Sequence, residues 1–338
     1  MSDTPLIRIA FFDAKPYDRE SFDKINQDFN YKISYFKGHL SPETVPLTRD
    51  FDAVCVFVHD EVNEKVIDIL MRNEVKLIAV RAAGYNNLDL KALHHKIPVV
   101  RVPAYSPYAV AELAVTLMLS LNRKVHRAYY RTRDNNFTLN GLLGFDMRGK
   151  TVGIIGTGKI GKVAINILKG FGMRVLAYDL FPDKEHQKTG GFEYVDLDEI
   201  YRESDIISLH CPLTKETYRL INEASITKMK TGVMIINTGR GMLIDSKALI
   251  KGLKSGKVGF AGLDVYEEES EYFFEDFSNK IITDDVLARL LSFNNVMITS
   301  HQGFFTQEAL GSIAATTMNN IRDFFEHHKL TNEIAYKA

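Results

Sequence analysis

An arginine, a carboxylate and an imidazole each follow one of three successive apolar runs late in this 338-residue sequence. Arg240 lies between glycines in "INTGRGMLID", directly after "VMII". Asp264 ends the next run, and Glu267, Glu268 and Glu269 follow it in "GLDVYEEES". His301 follows "NVMIT". An imidazole beside a carboxylate can give and take a proton near neutrality, and a guanidinium can grip a planar anion through two parallel hydrogen bonds. Taken singly, each has an ordinary reading as a loop histidine, a surface arginine or a solvated acidic run. Taken together, they suit a carbonyl whose oxygen gains charge and then a proton.

A second constellation says what reagent such a carbonyl would meet. In "TVGIIGTGKIGKVAINILKGFG", Gly156, Gly158 and Gly161 form GxGxxG between an apolar strand and a helix that begins at Lys159 and Ile160. The first glycine permits the tight turn, the second admits a pyrophosphate to the backbone, and the third lets helix and strand pack closely. The free N–H groups and positive end of the helix then face the phosphates. A second strand ends at Asp179, placed to accept hydrogen bonds from ribose hydroxyls and to repel a 2′-phosphate. The expected cofactor is NAD rather than NADP, although Lys184 stands nearby.

These residues need a scaffold that brings them together. Apolar runs at 7–12, 52–58, 76–80, 151–155, 174–178, 205–209, 233–237, 258–263 and 295–299 alternate with helical stretches, which predicts parallel sheets covered on both faces. Loops at the carboxyl ends of such strands share one crevice, so Arg240, a carboxylate of the 264–269 stretch and His301 can converge there. Residues 106–136 predict a long helix starting at Ser106 and Pro107, apolar on nearly every face from Ala109 to Leu121. We expect it to pack against a second subunit in a homodimer or homotetramer; burial within one chain is the alternative.

Composition narrows the remaining choices. Basic residues number 42 and acidic residues 43, which removes the electrostatic basis for nucleic-acid or anionic-membrane partners. Two cysteines, Cys55 and Cys211, suit a reducing compartment and argue against a disulfide framework or a cysteine zinc site. The N-terminal stretch "MSDTPLIRIAFFDA" is too short and too charged for a signal segment, and no run of about 18 apolar residues spans a membrane. A cytoplasmic protein is expected. The pairs His94–His95 and His327–His328 read as surface helix residues rather than metal ligands, and no metal is expected.

Several stretches carry a family resemblance: "RAAGYNNLDL", "RVPAYSPYAVAE", "GTGKIG", "ISLHCPLT", "INTGRG", "LDVYEEE", "FFEDFSNKIITDDVLARLL" and "TSHQGFFT". Across essentially its whole length the chain resembles the D-isomer-specific 2-hydroxyacid dehydrogenases, most of all their fermentative lactate-type branch. The resemblance implies a Rossmann doubly wound sheet for NAD at 103–301 and a discontinuous flavodoxin-like α/β substrate domain at 1–102 and 302–338, closing about a hinge. It implies that Arg240 binds the substrate carboxylate and that His301, paired with Glu269 rather than Glu267 or Glu268, is the acid/base. Asp264 would hold the nicotinamide carboxamide. His210, Cys211, Pro212, Thr238 and Gly239 would border the cofactor. Ala83 and Gly84 would bind the carboxylate through backbone N–H groups, and Tyr105 would line the pocket. The implied reaction is reversible NADH-dependent reduction of pyruvate to D-lactate. A bulkier 2-oxo acid is the alternative substrate, and a non-catalytic NAD(H)-sensing scaffold is the alternative class.

Overall fold

The computed structural model describes residues 6–269 and 272–336. The first five residues of the N-terminal stretch discussed above, and Ser270 of "GLDVYEEES", lie outside the described residues. The chain divides into two units, one comprising residues 1–106 and 305–338 and the other Pro107–Phe304. The division falls a few residues beyond the boundaries at 102 and 301 expected from sequence; Pro107 opens a helix that packs on α6, β10 and β11 of the second unit.

The first unit holds β1 (Arg8–Phe11), β2 (Lys32–Tyr35), β3 (Ala53–Val56), β4 (Leu77–Val80) and β5 (Val99–Arg101), with α1 (Pro16–Asn26), α2 (Glu64–Arg72) and α3 (Leu90–Leu93) between them. All pairings are parallel and the order is β2-β1-β3-β4-β5, the flavodoxin-like arrangement. Every residue of β3 and β4 is buried, which is why these strands read as continuous apolar runs.

The second unit begins with α4 (Pro107–Arg123) and α5 (Val125–Arg133). Its strands are β6 (Thr151–Ile155), β7 (Arg174–Tyr178), β8 (Glu193–Tyr194), β9 (Ile206–Leu209), β10 (Val233–Asn237), β11 (Val258–Leu263) and β12 (Val296–Ile298). Helices α6 (Lys159–Gly170), α7 (Lys184–Gly190), α8 (Leu197–Glu203), α9 (Glu223–Lys228), α10 (Ser246–Ser255) and α11 (Asp285–Leu291) connect them. The order β12-β11-β10-β9-β6-β7-β8 is the doubly wound Rossmann order with one added strand. Neighbouring residues part to opposite faces: Ile154, Ile206 and Met234 join the core under α4 and α6, whereas Ile155, Ile207 and Ile235 join the core under α8 to α10. Helix α12 (Gln307–His327) returns the chain to the first unit and packs Ala314, Met318 and Ile321 on β4, β5 and α1.

Three expectations need correction. Strands β2, β5 and β8 were not anticipated; β2 is half-exposed, β8 spans two residues, and β5 spans three, its two valines set between Pro98 and Arg101. The helix expected over 106–136 is two helices, broken at Lys124, whose φ is +49°. There the returning chain is pinned: Asn122 bonds both the carbonyl and the N–H of Phe145, and Lys124 Nζ reaches the Leu143 carbonyl. The apolar character of α4 is also met within the chain, against α6, β10 and β11. Finally, His94 and His95 lie in the turn after α3, not in a helix, with ring centroids 3.8 Å apart.

Candidate active site

Because the second sheet is wholly parallel, the carboxyl ends of its strands share one edge, and each candidate residue of this unit follows one of them. Gly156 leaves β6 with φ +98°, and a Cβ there would lie 2.5 Å from the His210–Cys211 backbone beyond β9. A Cβ on Gly161 would lie 2.0 Å from the Gly156 carbonyl, so the third glycine lets α6 sit on the turn. Gly158 differs: a Cβ there meets nothing within 4 Å, and α6 starts at this residue without a side-chain cap. Lys159 and Ile160 begin that helix, so its first N–H groups open onto this space.

Asp179 follows β7. Its Oδ2 accepts from the Thr157 N–H at 2.6 Å and the Thr157 hydroxyl at 3.0 Å, and its Oδ1 accepts from the Phe181 N–H at 2.9 Å. The Thr157 hydroxyl is in turn 2.7 Å from the Tyr194 phenol oxygen. After β9, His210 Nε2 is 2.9 Å from Ser208 Oγ, and burial holds its imidazole down at about 4, neutral at physiological pH. Burial pushes the Cys211 thiol up to about 11, so it presents a protonated sulfur rather than a nucleophile. Pro212 follows it, exposed. Thr238, after β10, keeps a buried hydroxyl with no hydrogen-bond partner among the described residues.

Arg240 is carried by the loop after β10. Asn237 braces that loop, its Oδ1 accepting from the Gly239 N–H and its Nδ2 donating to the Arg240 carbonyl. Arg240 Nη1 donates to the Gly239 carbonyl at 2.8 Å. A Cβ on Gly241 would collide at 2.0 Å with the Tyr266 carbonyl, so the glycine after Arg240 allows this loop to lie against the one that carries Glu269.

The three glutamates separate by environment. Glu267 accepts from Arg219 and from the Ser246 N–H, and Glu268 is exposed. Glu269 Oε1 lies 2.9 Å from His301 Nδ1, and its Oε2 accepts from the Tyr266 N–H. Burial opposes ionisation of Glu269. The His301 hydrogen bond and charge, the Tyr266 N–H and the charge of Arg240 outweigh it and hold the carboxyl below its usual range. His301 has φ +53°, and its N–H donates to the Asp264 carbonyl at 2.7 Å. Asp264 is fully buried, and its carboxylate accepts from Thr299 Oγ1 and from the N–H groups of Gln302 and Gly303. The aspartate therefore clamps the turn that presents the imidazole.

Ala83, Gly84 and Tyr105 belong to the first unit. Ala83 and Gly84 form the half-buried turn after β4, where the Ala83 carbonyl accepts from Arg101 Nη1 at 2.7 Å, and Tyr105 is half-buried just before α4. Behind that turn Arg81 is fully buried, donating to the Asp13 carbonyl and pairing with Asp18.

Residues 115–303 match the NAD binding domain of the D-isomer specific 2-hydroxyacid dehydrogenases. The chain is 50% identical over 329 residues to the D-lactate dehydrogenase of Escherichia coli, covering 97% of this chain and 100% of that one. This chain belongs to the D-isomer specific 2-hydroxyacid dehydrogenase family. The apo structure of D-lactate dehydrogenase from Escherichia coli matches with a TM-score of 0.90 at 47% identity, covering 97% of this chain and all of that one. The pyruvate reductase of Chlamydomonas reinhardtii matches with a TM-score of 0.93 at 42% identity, covering 97% and 99%. As a member of this family the protein is an NAD-dependent oxidoreductase.

The residues present fit a dinucleotide in this dehydrogenase. The empty space at Gly158, the uncapped start of α6 and the unpartnered Thr238 hydroxyl all lie along the sheet edge where such a ligand binds. Sequence reasoning missed the residues that brace the site: Thr157 on Asp179, Asn237 on the arginine loop, and Thr299 on Asp264. Their signal was a polar residue at or just past the end of an apolar strand.

Proposed function

We propose that this enzyme reduces pyruvate to D-lactate with NADH, reversibly. The observation that carries the reading is the His301–Glu269 hydrogen bond on the same sheet edge as Arg240 and the glycine turn. When bound, the cofactor supplies the hydride that adds to the carbonyl carbon of a 2-oxo acid. Arg240 binds the substrate carboxylate and stabilises the charge that grows on the carbonyl oxygen. With Nδ1 engaged by Glu269, His301 delivers its proton from Nε2, and in lactate oxidation the same nitrogen takes the proton back. Glu269 steadies the imidazolium and fixes its plane.

Gly156, Gly158, Lys159, Ile160 and Gly161 would hold the pyrophosphate, Asp179 the adenosine ribose, and His210–Pro212, Thr238, Gly239 and Asp264 the remainder of the dinucleotide. Ala83, Gly84 and Tyr105 take their substrate role from the family resemblance alone. Pyruvate is favoured over a bulkier acid by the full-length likeness to proteins named D-lactate dehydrogenase and pyruvate reductase. A sensing scaffold without catalysis would have no need of the acid/base pair. We also propose a cytoplasmic homo-oligomer, since both cysteines are free and an apolar surface is exposed beyond α4. Among the described residues no helix is long and apolar enough to cross a membrane. The deciding assay follows NADH oxidation with pyruvate, 2-oxobutyrate, phenylpyruvate and hydroxypyruvate, with chiral analysis of the product. A highest kcat/KM on phenylpyruvate, or an L product, would overturn the assignment.

A further inference from the structure

The acid/base pair is braced by a segment that contributes nothing to the sheet. After Glu269 the chain runs through 272–284 before α11. The Glu269 carbonyl accepts from the N–H groups of Tyr272 and Phe273, at 3.1 and 2.9 Å. Its carboxylate accepts from the Tyr266 N–H at 3.0 Å, and the Tyr266 phenol donates to Asp284 Oδ2 at 2.6 Å. Asp284 is itself fixed, because its other oxygen caps α11 through the N–H groups of Val286 and Leu287. Glu269 is thus held at both its carbonyl and its carboxylate by groups anchored in or beside this segment.

Phe274 makes the second connection. Its φ of +67° is a left-handed conformation unfavourable for a residue with a Cβ, and such conformations persist where the surroundings over-determine them. The Phe274 ring lies 5.9 Å from the His301 ring at an interplanar angle of 34°, and 6.2 Å from the Phe304 ring. His301 is left-handed as well. Two costly backbone conformations thus set one aromatic ring beside the imidazole.

We propose that Tyr266 and Phe274 are positioning residues for the acid/base pair: Tyr266, anchored on Asp284, sets the Glu269 carboxylate, and Phe274 sets the plane of the His301 ring. The proposal rests on the reading of His301 and Glu269 as that pair. The charged groups around the pair are Arg240 after β10, Asp264 after β11, Glu267 and Glu268 in the same loop, Asp284 before α11, and Arg219 with Asp245 behind Glu267. Tyr266→Phe breaks the anchor without altering any charge, whereas Asp284→Asn weakens it and also removes the Asp284 charge, so the pH comparison rests on Tyr266→Phe. Asparagine also retains a cap for α11.

The test measures pyruvate reduction against pH for Tyr266→Phe, Asp284→Asn, their double variant, Phe274→Leu, Phe274→Tyr and His301→Ala, with NADH affinity read by fluorescence. Tyr266→Phe and Asp284→Asn should each lower kcat about tenfold, the scale of a modest misplacement of a catalytic group, with NADH affinity unchanged. Tyr266→Phe should move the basic limb of the profile to lower pH, and the double variant should be no worse than either single one. Phe274→Leu should lower kcat and Phe274→Tyr should restore it. If His301→Ala is inactive while Tyr266→Phe, Asp284→Asn and Phe274→Leu keep the parent kcat and pH profile, the positioning proposal is wrong. If His301→Ala keeps near-normal turnover, the underlying acid/base reading has failed instead.

Discussion

Nδ1 of His301 and Oε1 of Glu269 are 2.9 Å apart, so the imidazole spends one nitrogen on a carboxylate and keeps the other for chemistry. The contact spans 32 positions of sequence. It forms because the turns after β11 and β12 lie side by side, tied by Asp264.

His301→Ala should lower kcat by roughly 10²–10⁴-fold, the usual worth of a positioned acid/base. His301→Asn is the sharper variant. The residue sits at φ +53°, a conformation asparagine tolerates better than alanine, so the clamp from Asp264 should survive. Steady-state turnover together with a thermal melt separates the two effects. An asparagine variant that melts like the parent yet turns over normally would remove His301 from the mechanism.

Glu269→Gln tests the charge. The carboxyl is held below its usual range, so it carries its charge at neutral pH. Losing that charge disfavours the imidazolium, so the basic limit of pyruvate reduction should move to lower pH, by about one unit. The acidic limit of lactate oxidation, which needs neutral imidazole, should move the same way. The stability sign follows from the depressed carboxyl: its contribution is present above the unfolded-state value and is lost as pH falls through the folded one. The glutamine variant should therefore lose part of the acid sensitivity of unfolding. Unmoved kinetic limits would exclude the pairing.

The division between what was legible and what was not has a physical basis. Strands β6, β7, β10 and β11 were found at their full extent because β6 and β10 are buried throughout and β7 and β11 over most of their length, so each reads as a largely apolar run. Edge strand β8 has only two residues and no face to bury completely. The break at Lys124 depends on Asn122 meeting Phe145, a contact across 23 positions that no local pattern announces. The glycine turn, Asp179 and His301 announce themselves because their chemistry or backbone demands a particular residue. Thr157 and Thr299 act through hydrogen bonds to segments 22 and 35 positions away, Asn237 acts within its own loop, and residues of their types are common at strand ends.

Two alanine substitutions in one motif should fail in different ways. A Cβ at Gly158 meets nothing within 4 Å, so Gly158→Ala should keep the parent melting temperature while raising KM for NADH. A Cβ at Gly161 would sit 2.0 Å from the Gly156 carbonyl, so Gly161→Ala should destabilise the second unit by several kcal/mol, as overpacking against fixed backbone does. Calorimetry and cofactor titration on the pair distinguish a binding surface from a packing contact. Equal melting temperatures would contradict the assigned roles.

Arg240→Lys probes the planar fork. Arg240 already commits Nη1 to the Gly239 carbonyl, which sets the guanidinium plane before any substrate arrives. Lysine keeps the charge but loses the parallel pair of donors. KM for pyruvate should rise and kcat/KM should fall by roughly 10–10²-fold, the worth of one or two charge-assisted hydrogen bonds. NADH affinity should stay as it was. A parent-like KM for pyruvate would place the carboxylate anchor elsewhere.

The apolar surface beyond α4 supplies the last expectation. Phe137, Leu139 and Leu143 are 72, 81 and 89% exposed, and Tyr129 and Tyr130 of α5 are exposed with them. Arg123, Leu139, Leu142, Leu143, Gly144, Phe145 and Asp146 line a cleft of about 600 Å³ beside them. A monomer gains nothing by holding these side chains in water, and exposed apolar side chains beside a cleft suit an association site. The expectation that the 106–136 region joins subunits therefore passes from α4, which is covered within its own chain, to α5 and the loop after it. Replacing Leu139 and Leu143 together with aspartate should convert an oligomer into a smaller species that keeps the parent fold, as read by sedimentation and circular dichroism. A parent protein that is already monomeric at micromolar concentration, or a double variant of unchanged mass, would remove this surface from the assembly.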